Sequence, residues 1–125
     1  NQGVEPKGEY TPKTNSWDEI LGNEETKKFM ESLSGRNCAG VMQYKPTLYR
    51  ARDYLCPHND YDQQRTVAFV WHLSKSWRPE WGGGLYWVPS QQYMPSVFNT
   101  LYLFSVTPYS EHFVTPVSPD AKEKR

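Results

Sequence analysis

Cysteine is scarce in this chain. Cys38 and Cys56 are the only two among 125 residues, and they lack Cys-x-x-Cys spacing, which excludes a disulfide scaffold and argues against a structural zinc site. Both read as buried thiols, with Cys56 close enough to His58 to line the same pocket. No apolar run approaches the roughly 20 residues that cross a bilayer, and no signal-peptide pattern opens the chain. A cytoplasmic protein without a membrane partner is therefore expected. Net charge is also missing: 14 Lys and Arg balance 14 Asp and Glu, so no global field recruits nucleic acid or an anionic surface. The length is that of one domain. There is no initiator Met, and the chain stops at Lys122-Glu-Lys-Arg125, where a β architecture would enter one more strand; the final strand is expected to be absent.

What is present begins as a polar lead-in over residues 1–22, with Gly3, Pro6, Gly8 and Pro12 breaking any regular structure. Within it, Trp17 to Leu21 is a short apolar patch suited to cap a core. Asn23 followed by two glutamates, apolar residues at 29, 30 and 33, and Gly35 predicts a helix with an Asn N-cap and a Gly stop, the only one the pattern supports. From Cys38 onward the period changes. Residues 39–44, 47–55, 66–73, 85–88, 99–106 and 112–117 read as strands separated by breaker clusters, of which Gly82-Gly-Gly84 is a turn. Short strands with one helix at the edge imply a mainly β sandwich or barrel, a jelly roll being the natural form, over residues 23–125.

The chemistry concentrates in His58-Asn59-Asp60. In an extended segment side chains alternate faces, so His58 and Asp60 would point the same way and converge on one ion. Imidazole plus carboxylate suits iron(II), and His112, at the start of a later strand, supplies a third ligand. Two histidines and one carboxylate make a facial triad with open coordination positions. The competing reading is a solvated turn, because Pro57-His-Asn-Asp has strong turn chemistry.

The ordered series His58-x-Asp60, strand 66–73, Trp77-x-Pro79-x-x-Gly-Gly-Gly84, Asn99-x-Leu101-x-Leu103-Phe104 and Tyr109-Ser110-x-His112-x-Val114-x-x-Val117 resembles the 2-oxoglutarate and iron(II)-dependent oxygenases. Within them it looks most like the prolyl-hydroxylase branch that includes the ribosomal-protein prolyl hydroxylases. The resemblance implies a double-stranded β-helix and iron(II) held by His58, Asp60 and His112. It also implies 2-oxoglutarate and O₂ as cosubstrates, leaves room for ascorbate, and points to hydroxylation of an amino-acid side chain such as a prolyl residue of a peptide or protein. The family's cation for the far carboxylate of 2-oxoglutarate falls on Arg125, with Lys122 and Lys124 as alternatives, and a family tyrosine that helps hold that carboxylate falls on Tyr49.

Other residues weigh both ways. Trp87 and Tyr86 are candidate substrate contacts, as is Arg65, although clustered tryptophans more often pack a core. His72 is expected to be structural or pocket-lining rather than a ligand, and Arg50 and Arg52 to lie on a solvated strand face. Two rivals differ in class: a jelly-roll binding module for carbohydrate or protein with an aromatic platform, and a non-catalytic relative acting as a scaffold. Iron-dependent turnover of 2-oxoglutarate separates the enzyme from both.

Overall fold

The computed structural model describes residues 16–121, and the expected 2-oxoglutarate cations Arg125, Lys122 and Lys124 lie outside the described residues. Two helices precede the strands. Helix α2 (Glu24–Ser34) starts where Asn23 Oδ1 accepts the Thr26 backbone N–H at 2.7 Å, and it stops at Gly35, which takes φ +68° and returns its N–H to Glu31. Side-chain capping at one end and a left-handed glycine at the other satisfy backbone groups that the helix itself cannot. The patch expected only to cap a core is itself a helix, α1 (Ser16–Leu21); it packs on α2, and the Trp17 ring meets Trp71 edge-on at 5.7 Å.

Six strands follow: β1 (Leu55–His58), β2 (Val67–His72), β3 (Leu85–Trp87), β4 (Gln92–Met94), β5 (Thr100–Ser105) and β6 (His112–Val114). They form a four-stranded sheet in the order β1-β6-β3-β4 and a two-stranded sheet β2-β5, with antiparallel pairing throughout. Between β1 and β6 the chain passes back and forth between the sheets, as in a jelly roll. Cross-strand partners share a face. Leu85, Trp87, His112 and Val114 therefore lie on the inner face of the large sheet, while Tyr86, Tyr93 and Phe113 lie on the outer. On the small sheet Ala68, Val70, His72, Tyr102 and Phe104 share the face that meets the large sheet, through Phe104 against Trp87 and His112. The opposite face, with Trp71, lies toward the helices.

Four expectations are corrected here. The expected strand 39–44 does not form, and the expected strand 47–55 is interrupted by a turn. The buried Asp53 carboxylate accepts the Arg50 N–H at 2.8 Å and Arg52 takes φ +74°, so the two arginines sit in a turn and not on a strand face. Cys38 is only partly buried and Cys56 is exposed, the latter because it lies on β1, an edge strand whose pairing is irregular between Leu55 and His58, where Pro57 donates no ladder bond.

The remaining packing anchors the two ends of the large sheet. Tyr49, Val114 and Val117 form a buried cluster with Leu55, Trp77 and Ala121 against it. After a 3-10 turn at Pro79–Trp81, Gly82 pairs with Val117 and accepts the Trp77 indole N–H at 3.0 Å. No helix among the described residues is long and apolar enough to cross a membrane.

Candidate metal centre

Strand register brings the two histidines together. His58 ends edge strand β1 directly opposite His112, the first residue of β6, and their ring centroids are 4.3 Å apart. On the other side of His112, Trp87 of β3 is its cross-strand partner and lies nearly parallel to it at 6.0 Å; Phe104 closes from the small sheet at 4.5 Å. His112 is thereby 2% exposed while His58 and Asp60 are half-buried.

Asp60 reaches the pair by a different route from the one expected. The chain is not extended there: Asp60 has φ +58°, and Asn59 Oδ1 accepts the Tyr61 N–H at 3.0 Å, an Asx turn that folds the backbone around Asp60. Turn chemistry and ligation are thus compatible, and the alternation argument is replaced by a tight turn. Asp62 closes a second such turn by accepting from Gln64 N and Arg65 N. These bonds hold its carboxyl below the ordinary value.

The carboxylate oxygens of Asp60 lie 3.5 Å from His58 Nε2 and 3.3 Å from His112 Nε2, and one ligand atom from each residue falls within 4.8 Å of the others. Both Nδ1 atoms are committed: His58 Nδ1 to Cys56 O at 2.7 Å, and His112 Nδ1 to Ser110 O at 2.8 Å. A carbonyl only accepts, so each Nδ1 carries a proton and each imidazole turns its Nε2 toward Asp60. Two ring nitrogens and a carboxylate thus face one another. Such a group demands a cation between its members, either a proton or a metal, and two imidazoles with one carboxylate suit iron(II). Asp60 shows the same demand electrostatically. Its carboxyl is held below the ordinary range first by the hydrogen bond with His112, then by the charges of His58, His112 and Arg65, with partial burial opposing them.

Beside the three residues opens a cleft of about 850 Å³ lined by His58, Asp60, Tyr61, Arg65, Pro89 and Tyr109 among others. Of the candidate substrate contacts, the structure brings Arg65 to the site, 3.5 Å from Asp60 and 3.4 Å from Asp62, and Trp87 against His112. Tyr86 lies on the outer face, stacked on Phe113 at 4.9 Å. His72 sits apart from the group, buried at 3.1 Å from Ser96 Oγ and edge-on to Tyr102. Trp77 and Trp81 pack on each other, Trp71 meets Trp17 and Trp87 faces inward, so the four do not share one face. Tyr49 packs on Val114, which shares the inner face of β6 with His112. Two residues given no role by sequence reasoning, Asn59 and Ser110, hold the site's loops; the signal was their place inside the His-x-Asp and Ser-x-His motifs.

Residues 44–125, more than half of the chain, match the family model of the 2OG-Fe(II) oxygenase superfamily, and the chain belongs to that superfamily. Its chemistry rests on Fe(II), 2-oxoglutarate and O₂. No curated protein matches the chain.

Proposed function

We propose that this protein is a 2-oxoglutarate-dependent dioxygenase that hydroxylates a prolyl residue of a peptide or protein, with residues 23–125 forming a double-stranded β-helix domain. The observation that carries the reading is the convergence of two Nε2 atoms and one carboxylate at the wall of an open cleft. His58, Asp60 and His112 would hold the iron, which with 2-oxoglutarate and O₂ supplies the oxidising power for inserting oxygen into an unactivated C–H bond. Ser110 and Cys56 carbonyls keep both imidazoles in the ligating tautomer. Trp87 and Phe104 shield the inner side of His112 from water.

Tyr49 stands where the inner face of β6 continues past His112, which supports a role in holding 2-oxoglutarate, together with Arg125. For the substrate, the cleft is wider than a free amino acid needs, and its rim carries Tyr61, Tyr109, Pro89 and Pro108. Flat apolar surfaces of this kind suit a chain segment with a prolyl ring. Purified protein supplied with iron(II), 2-oxoglutarate and a proline-containing peptide is expected to form succinate and to add one oxygen atom to the peptide by mass spectrometry. Asp60→Ala and His112→Ala abolish both. Succinate formed equally by Asp60→Ala would sink the assignment.

A further inference from the structure

The two limbs that carry the three candidate ligands are tied to each other by side chains that are not themselves ligands. One limb is β1 and the turn after it, with Asn59 between His58 and Asp60. The other is the turn at Thr107–Ser110 that leads into His112. Asn59 Nδ2 donates to Pro108 O at 3.2 Å, and Ser110 Oγ donates back to Asn59 O at 2.8 Å. Each limb thus holds the backbone of the other.

Both residues also orient a ligand directly. Asn59 Oδ1 closes the turn around Asp60, and the Ser110 carbonyl fixes the tautomer of His112. Ser110 is 1% exposed, and its hydroxyl is fully engaged: it accepts Thr107 N–H at 3.0 Å and shares its one proton between Asn59 O and Thr107 O at 2.8 and 2.7 Å.

We infer that Asn59 and Ser110 are positioning residues forming a clasp that sets the distance between the His58–Asp60 limb and the His112 limb, and thereby the affinity of the site for a divalent ion. The inference rests on the metal-site reading. Its physical basis is that a three-ligand site gains affinity when its ligands are held at bonding separation before the ion arrives, and outer partners that orient ligands usually contribute 10- to 100-fold. The β1–β6 ladder alone does not hold that separation, because its register is irregular between Leu55 and His58 and β1 is an edge strand.

Co(II) titration followed by its visible absorption reads the site without turnover. Asn59→Ala and Ser110→Ala are each expected to weaken Co(II) binding by about tenfold or more, and the double variant by less than the product of the two, since both act on one joint. Asn59→Ser keeps a turn-closing oxygen but is too short to reach Pro108, and should bind between Asn59→Ala and the parent. Asn59 is only partly buried, so its variants carry the test even where Ser110→Ala fails to fold. Folded Asn59→Ala and Asn59→Ser proteins that bind Co(II) as tightly as the parent overturn the clasp while leaving the metal site standing. A parent chain that binds Co(II) no better than Asp60→Ala overturns both.

Discussion

Asp60 is the residue on which the most opposing demands fall. Its side chain faces two imidazole nitrogens and a guanidinium, and its carboxyl is pulled below its ordinary value chiefly by the hydrogen bond with His112. A carboxyl depressed by folding stabilises the folded state above its unfolded value, about pH 4, and that contribution is lost as the pH falls through the lower folded value. In chelator, the melting temperature of the parent should therefore exceed that of Asp60→Asn above about pH 4, and the gap should close as the solution is acidified further. A gap that widens on acidification would contradict the assigned direction. That these three residues gather at one place was legible because a histidine and a carboxylate two residues apart, with a histidine opening a later strand, is a pattern with chemical meaning. How they meet was not: alternation along a strand and an Asx turn both bring positions 58 and 60 together, and only Asn59's bond to Tyr61 selects the turn.

Among the elements, helix α2 was readable to within a residue because its ends are local devices, an Asn cap and a left-handed glycine. Strands are long-range objects, and the reading was weaker there. Residues 39–44 have strand composition but pair with no strand among the described residues, Asp53 turns the chain where a strand was expected, and β4 passed unnoticed because Gln92–Met94 is a three-residue strand at the edge of its sheet beside β3. The glycine run was read as a turn, and its geometry makes a demand that composition alone does not reveal. Gly82 has φ +67° and ψ −144°, a region open to glycine, and a Cβ there would run into the Pro116 carbonyl oxygen. Gly82→Ala is expected to destabilise the protein by on the order of 2 kcal/mol or more, measured by urea unfolding, by prising Val117 from its bridge. Gly84→Ala meets the Tyr93 ring at 2.5 Å, a side chain that can swing outward, so its effect should be the smaller of the two.

At the scale of the whole molecule, the two sheets meet at the site: His58 and His112 come from neighbouring strands of one sheet, and Phe104 of the other seals them. An ion bound there would tie the edge strand β1 to the interior, and binding that is confined to the folded state adds stability by mass action, about 2.7 kcal/mol at a hundredfold excess over Kd. For a chain of this size that is a rise of about 10 °C in melting temperature. Differential scanning fluorimetry with Mn(II) or Co(II) should show it in the parent and not in Asp60→Ala. The mainly β framework followed from strand count and spacing; which strand borders which, and that the two sheets meet at the site, did not, because hydrogen-bond partners are chosen by packing at a distance.

The left-handed backbone at position 60 has one more implication. An L-residue with a Cβ is disfavoured there and glycine is not, so backbone strain at that point is set against the electrostatic stabilisation that the carboxylate provides. Mutation to glycine would relax the backbone while removing one of the three groups that could hold an ion. Silent descendants of this lineage would be expected to keep the barrel and give up the carboxylate first.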